Sequence, residues 1–233
     1  MRKLLAALLA APLLAYAQAY PTKPVRIVLP FGPGGVADIT TRTIAPRMSE
    51  GLGQQVVVEN LPGAGGIRAS ETVARADPDG HTLLLLTNGN AVSQALFKSL
   101  PYDPLNDFVY IGPVFRNPLI IVANDTVPFK NVKELVDYAK RNPNKLNWGY
   151  PGAGTTQHLT GELFKQVAGV DIQGVMYKGS AQAVQDLLGG QIPLSVDGIG
   201  PNLPHIKSGK LRAIASTGEQ RASQLPDVPT VAE

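Results

Sequence analysis

The chain has no cysteine and little charge, and both shortages exclude functions. With no Cys among 233 residues, it can form no disulfide, thiolate nucleophile, Cys-ligated zinc site or acylated lipoprotein anchor. Charged residues make up 17% and hydrophobic residues 44%, with 24 Gly and 20 Pro. This composition excludes a disordered or collagen-like chain and predicts buried strands joined by tight turns. A mass of 24.7 kDa suits one large domain or two small ones.

Long apolar runs are also missing, and the longest one lies at the N-terminus. Arg2 and Lys3 precede the apolar stretch Leu4–Leu14, and two small-x-small cleavage patterns end at Ala17 and Ala19. A membrane-spanning helix needs about 20 apolar residues, more than this run supplies. We therefore predict a secretory signal peptide at residues 1–19, cleaved after its last alanine, and a mature protein released outside the cytoplasm.

Charge and histidine patterns give no sign of nucleic acid or metal. The chain has 21 Lys and Arg against 18 Asp and Glu, and loss of the signal removes Arg2 and Lys3 and leaves 19 against 18. No basic run is interleaved with aromatics, so we expect no nucleic-acid partner. His81, His158 and His205 are far apart and have no metal-ligand spacing. We expect neither a metal nor another cofactor.

Apolar runs alternate with helical patterns, which predicts an α/β fold with parallel strands covered by helices. Strands are expected at 25–30, 56–58, 82–87, 108–115, 119–123, 146–150, 175–177, 192–196 and 211–215, and helices at 36–50, 67–76, 132–141, 156–167, 181–188 and 203–208. The four consecutive leucines at 83–86 predict a central strand that is buried on both faces.

Each half of the chain places a glycine-rich turn between a strand and a helix. The turns lie in VLPFGPGGVAD and NWGYPGAGTTQH, and neither 32–35 nor 152–156 contains a basic residue. A helix N-terminus exposes unpaired N–H groups and partial positive charge, and glycine lets an anion approach the backbone closely. Two facing turns could hold a carboxylate with main-chain donors alone. Either turn by itself could equally be a helix start without a ligand.

An enzyme is the main competing class. Neither turn matches G-x-G-x-x-G, and no Walker lysine follows either one. The chain has no G-x-S-x-G elbow, since Ser180 lies in KGSAQ. These mismatches argue against a nucleotide-dependent α/β enzyme, and we expect a binding protein rather than a catalyst.

Six ordered motifs resemble the Bug-type solute-binding receptors of the tripartite tricarboxylate transporter family. They are PVRIVLPFGPGGVADITTR, NLPGAGG, ADPDGHTLLL, GAGTTQHLTGELF, YKGSAQAVQDLLGGQI and LPDVPTVAE, and together they run from Pro24 to Glu233. The resemblance implies a periplasmic binding protein of type II, with two α/β lobes around a ligand cleft. Such a receptor, expected as a monomer, captures a small organic carboxylate and delivers it to a membrane permease. An output through a membrane sensor kinase stays open.

The resemblance also implies a domain plan. We expect lobe I at 20–123, lobe II at 124–217 and a segment at 218–233 that returns towards lobe I. Family members usually continue beyond this point, so we expect the remainder of lobe I to be absent from this chain. Thr155-Thr156 also stands where the family commonly has a Gly-Ser type sequence, and the threonine methyl groups would narrow the pocket.

Carried onto this chain, the family's binding site consists of strand-end and turn residues from both lobes. Lobe I would contribute Phe31, Gly32, Gly34, Gly35, Asp38, Ala64, Gly65, Thr87 and Asn88, and lobe II would contribute Gly154, Thr155, Thr156, His158, Tyr177, Lys178, Gly179 and Asp197.

Several of these residues have a structural alternative. His158 and Asp38 could contact a ligand or cap their own helices. Lys178 is the candidate cation for a second ligand carboxylate, or else a solvated surface lysine. Phe31 and Tyr177 could pack against a ligand's carbon frame or belong to the core.

Overall fold

A computed structural model describes residues 20–233, so the predicted signal peptide lies outside the described residues. The described chain has the strands β1 Val25–Leu29, β2 Val56–Asn60, β3 Thr82–Leu84, β4 Leu119–Asn124, β5 Asn147–Tyr150, β6 Gln173–Met176, β7 Leu194–Gly198 and β8 Leu211–Ser216. Its helices are α1 Val36–Leu52, α2 Ile67–Ala74, α3 Asn88–Leu96, α4 Val132–Arg141, α5 Thr156–Ala168, α6 Ser180–Leu188 and α7 Ile199–Lys207.

The first lobe is built on a parallel sheet of three strands in the order β2-β1-β3. Val25 and Leu29 of β1 are fully buried, and Ile27 pairs in register with Val58 and Leu83. The prediction that the leucine-rich strand is central was wrong, because β1 holds the middle position. Among the described residues β3 pairs with β1 alone, so its leucines are only partly covered.

The second lobe is built on a mixed sheet of five strands in the order β6-β5-β7-β4-β8. Strand β4 runs antiparallel to both β7 and β8, and all six of its residues are buried. A strand that is apolar on both faces needs a neighbour on each edge and a layer on each face. The predicted lobe boundary at residue 123 therefore falls too late, since β4 belongs to the second sheet.

Aromatic residues fill the core of the second lobe. Trp148 and Tyr150 of β5 and Phe129 are fully buried, and the Trp148 ring packs against Phe164 of α5 at 5.7 Å between centroids. Gly161 makes room for them, because a Cβ built there would collide with the Tyr150 ring. Helix α4 has the predicted cap, with the Asn131 side chain accepting from the Glu134 amide at 2.9 Å.

Two further expectations differ from the structure, and one helix was not predicted. Residues 108–115 form no strand; they run without ladder partners among the described residues, and Val109 is 93% exposed. Helix α3 was not foreseen. The segment 218–233 packs on lobe II rather than turning towards lobe I, because Ala222 and Leu225 are buried beside β4 and Thr230 bridges to Ser216 of β8.

Within residues 20–233, no helix is both long and apolar enough to cross a membrane.

Candidate functional site

A cavity of about 1180 Å³ has residues of both lobes on its wall, most of them from lobe I and from the connection 107–117, and four helices begin there. Gly35 and Val36 mark the start of α1, Thr87 and Asn88 that of α3, Thr156 and Gln157 that of α5, and Ser180 that of α6. The N-terminal end of each of these helices carries partial positive charge at the cavity wall. The arrangement suits an anion.

Free backbone amides come from both lobes. The first hydrogen bond of α1 runs from the Ile39 amide to the Gly35 carbonyl. The amides of Val36 and Ala37 come before it and therefore have no partner within the helix. The first hydrogen bond of α5 likewise runs from the Leu159 amide to the Thr155 carbonyl, so the amides of Thr156 and Gln157 have no partner within that helix. These four amides belong to residues that line the cavity.

Asp38 holds the first glycine turn in shape. Its Oδ2 accepts from the Gly34 amide at 3.0 Å, while its Oδ1 accepts from Arg42 Nε at 2.9 Å and Asn60 Nδ2 at 3.0 Å. Burial opposes the charged form, but these donors outweigh it and lower the pKa of Asp38. Gly34 has φ of 82°, which favours glycine. The carboxylate thus fixes the turn, and its acceptor sites are occupied within lobe I.

Thr155 and His158 hold the second turn. Thr155 Oγ1 donates to the Gly152 carbonyl at 2.8 Å and accepts from the His158 amide at 3.3 Å. His158 Nδ1 accepts from the Gly154 amide at 3.2 Å, and its ring packs edge-on to Tyr150. Both side chains therefore cap the start of α5. For His158 this is the structural alternative to a ligand contact that the sequence had left open.

The two glycine turns do not face one another directly. A Cβ built on Gly32 would lie 2.9 Å from the Lys178 carbonyl oxygen, and one on Gly65 would lie 3.0 Å from the Ala153 carbonyl oxygen. The first turn thus meets the 178–180 segment, and the second meets the turn at 64–66, where Ala64 lies, together with Gly89. Glycine at these positions lets the lobes approach backbone to backbone.

The remaining residues predicted for lobe II have different surroundings. Tyr177 donates from its hydroxyl to Asp186 Oδ2 at 2.8 Å, and burial together with that carboxylate raises the pKa of Tyr177 to about 12. Lys178 is exposed and does not line the cavity. Gly179 is the N-cap of α6 and packs against Gly32. Phe31, from lobe I, lines the cavity.

Asp197 is the buried carboxyl behind the cavity wall, with 1% of its surface exposed. Its Oδ1 accepts from the Gly198 amide at 2.7 Å and from Ser180 Oγ at 3.0 Å, and Gln157 Nε2 lies 3.5 Å away. Its Oδ2 has no hydrogen-bond partner among the described residues. Burial outweighs the donors and raises the pKa of Asp197. The group connects two residues that line the cavity, Ser180 and Gln157.

Sequence reasoning missed several cavity residues, including Gln157, Pro151 and Arg116. Gln157 could have been found, because it follows the second turn and lies in the first turn of a helix. Arg116 carried no signal, since it follows a run that was expected to be a strand. Within residues 20–233 no cluster of side chains suits a metal ion.

Comparison with known proteins identifies the family. Residues 40–233 match the model of the tripartite tricarboxylate transporter family receptor. A protein from the TAR-I ttuE-ttuC′ intergenic region of Agrobacterium vitis is 41% identical over 95% of this chain and 64% of its own length. The chain spans about two thirds of the length of the curated relatives it matches.

Solved structures show the same fold. An R. palustris protein with adipate has a TM-score of 0.85 at 36% identity, covering 91% of this chain and 72% of its own. MatC from Rhodopseudomonas palustris with bound malate has a TM-score of 0.84 at 35% identity, and the match covers 91% of this chain and 73% of MatC. The periplasmic binding protein BugD has a TM-score of 0.82 at 38% identity, and the match covers 91% of this chain and 71% of BugD.

The likeness to BugD confirms the α/β fold of a periplasmic binding protein that was predicted from the sequence. The chain therefore belongs to the tripartite tricarboxylate transporter receptor family, a family of periplasmic solute-binding proteins.

Proposed function

We propose that this chain is a non-catalytic receptor that captures a small organic carboxylate between its lobes and presents it to a membrane permease of the tripartite tricarboxylate type. The observation that carries the proposal is the meeting of four helix N-termini at one interlobe cavity. Adipate and malate in structural neighbours support the same ligand class. Residues 1–19 would direct the protein to the periplasm.

The free-energy scale is adequate for capture. Charge-assisted hydrogen bonds contribute about 1.5–3 kcal/mol each, so four amides would supply about 6–12 kcal/mol. Micromolar affinity corresponds to about −8 kcal/mol. Ordering of the ligand and closure of the lobes oppose binding, and side-chain contacts from Thr156, Gln157 and Ser180 would offset part of that cost.

Lobe closure couples the ligand to the partner. Because Gly32 and Gly65 bring backbone against backbone, closure needs few side-chain rearrangements at the contact. A carboxylate that accepts hydrogen bonds from amides of both lobes stabilises the closed form over the open one. The permease could then distinguish loaded from empty receptor by the closed surface.

Isothermal titration calorimetry with a panel of mono-, di- and tricarboxylates tests the proposal. We expect saturable binding of at least one organic acid with micromolar or tighter affinity, and no binding of its uncharged amide. Absence of binding across the panel, or turnover of a bound acid, would count against a carboxylate receptor.

A further inference from the structure

Direct hydrogen bonds connect the buried carboxyl of Asp197 to two residues of the cavity wall. Asp197 Oδ1 accepts from Ser180 Oγ at 3.0 Å, and Gln157 Nε2 donates to the same oxygen at 3.5 Å. Ser180 is the first residue of α6, Gln157 lies in the first turn of α5, and both line the cavity. Asp197 is not part of the lining, so it acts on the cavity through these two side chains.

The surroundings of Asp197 favour its neutral form. No ion pair within residues 20–233 includes this carboxyl. The Gly198 amide donates to Oδ1 at 2.7 Å, whereas Oδ2 is buried and has no hydrogen-bond partner among the described residues. A buried negative charge is costly unless it is paired and hydrogen-bonded. The proton therefore belongs on Oδ2.

The other titratable groups around β7 do not compensate the charge of Asp197. Helices α5, α6 and α7 and strands β4 and β5 pack against β7, and the start of α1 and the residues before β4 meet Gly198. Their titratable side chains are Asp38 and Arg42 on the first two turns of α1, Arg116 before β4, Tyr150 on β5, His158, Glu162 and Lys165 on α5, Asp186 on α6, and His205 and Lys207 on α7. The hydrogen bonds of Asp197 within residues 20–233 run to none of them.

The charge state of Asp197 decides what the cavity wall offers to an anion. A carboxylate holds its hydrogen-bond donors about twice as strongly as a neutral acceptor does. Ionised Asp197 would therefore compete with a bound anion for the Ser180 hydroxyl and the Gln157 amide. It would also place a negative charge one side chain behind the cavity wall, where the low dielectric strengthens repulsion. The neutral acid lets both donors turn to the anion and adds no repulsion.

We propose that Asp197 must be uncharged for the receptor to capture an anion, and that it is a positioning residue which sets Ser180 and Gln157 at the N-terminal ends of α6 and α5. The inference rests on the proposed function and adds a proton requirement to it. Anion affinity should fall as pH rises and Asp197 ionises. Because burial raises the pKa of Asp197, the loss should occur above the ordinary range of a carboxyl. By linkage, a bound anion also favours the protonated form, so binding should take up protons.

The test measures affinity against pH, from about pH 5.5 to about pH 9, by calorimetry with the organic-acid panel, adipate and malate included. We expect the affinity of wild type to fall by about tenfold or more over this range. Asp197→Asn, which is neutral at every pH, should lack this fall. Asp125→Asn is the matched control, because it removes an exposed carboxyl at the end of β4 opposite the Asp197 pairing, and it should follow wild type. Any pH dependence that remains in Asp197→Asn belongs to other groups such as His158.

Proton uptake separates this role from a purely structural one. Calorimetry in buffers of different ionisation enthalpy should show that wild type takes up protons on binding where its affinity falls, and that Asp197→Asn takes up fewer. A flat affinity profile in wild type, an equal fall in Asp197→Asn, or equal proton uptake by the two would overturn the inference while leaving carboxylate capture intact. Absence of binding of the whole panel to every variant, wild type included, would overturn capture itself and this inference with it. Thermal unfolding at each pH checks that the fold is retained.

Discussion

Ser180 donates a 3.0 Å hydrogen bond to the buried carboxyl of Asp197, and so connects the N-terminus of α6 to the end of β7. Since burial raises the pKa of Asp197, the folded state keeps its proton to a higher pH than the unfolded chain does. The contribution of this group to the unfolding free energy is present below the unfolded pKa and is lost as pH rises through the folded value.

Asp197→Asn should remove that pH dependence. We expect the variant to gain stability relative to wild type as pH rises above the ordinary range of a carboxyl, measured by urea unfolding at several pH values. Asp38→Asn is the matched comparison with opposite sign, because the pKa of Asp38 is lowered and its stabilisation disappears on acidification. Parallel pH curves for wild type and Asp197→Asn would contradict the assignment.

Gly32→Ala should block closure of the lobes. The new methyl group would lie 2.9 Å from the Lys178 carbonyl oxygen, a contact with rigid backbone. Gly32 is not in the left-handed region, so alanine fits its own backbone and lobe I should stay folded. We expect the affinity for whichever acid the wild type binds to fall by about tenfold or more, the scale of about 1.4 kcal/mol.

Gly51→Ala is the control for this substitution. A Cβ at Gly51, within α1, meets nothing within 4 Å, and alanine in a helix is more stable than glycine by about 0.5–1 kcal/mol. Its ligand affinity should equal that of wild type. Equal affinities for the two alanine variants would show that the Gly32 contact is not part of the closed form.

Thr155→Val should loosen the second turn. The substitution keeps the shape of the side chain but removes the hydroxyl that contacts the Gly152 carbonyl and the His158 amide. Loss of an N-cap costs about 1 kcal/mol of unfolding free energy. Thr43→Val removes an exposed hydroxyl that donates to Ile39 and serves as control. Chemical denaturation should separate the two; equal stabilities would contradict the capping role.

Secretion should release a protein that begins at Tyr20. The Tyr20 hydroxyl donates to the Gly80 carbonyl at 2.6 Å, and its ring packs edge-on to His81 at 5.0 Å between centroids. Cleavage after Ala19 would thus leave an anchored N-terminus. N-terminal sequencing of the protein from the periplasmic fraction should begin at Tyr20, and retention of residues 1–19 there would contradict the signal assignment.

Local patterns predicted most of the secondary structure, because strong caps and regular periodicity set it. Helix α4 begins and ends where Asn131 and its apolar spacing indicate. Strand order and strand pairing, which depend on segments far apart in the sequence, were harder to predict. The leucines at 83–86 indicate burial but not which strand is central, and nothing in 108–115 shows that this apolar run lacks a partner strand among the described residues.

The same limit applies to the site. Glycine turns at helix starts could be read from the sequence, since the residue types and their order carry the chemistry. The sequence could not show which turns contact each other across the lobes. The first turn contacts Gly179 rather than Gly154. Arg116 reaches the cavity only through the course of the connection between the sheets.

Amide resonances in ¹⁵N-labelled protein test the central claim most directly. On addition of an organic acid that binds, the amides of Val36 and Ala37 in one lobe and of Thr156 and Gln157 in the other should shift together and gain protection from hydrogen exchange. The amides that begin α4, whose N-terminus lies away from the cavity lining, should not change. Shifts confined to one lobe, or absent from all four amides, would contradict a carboxylate held between the helix N-termini.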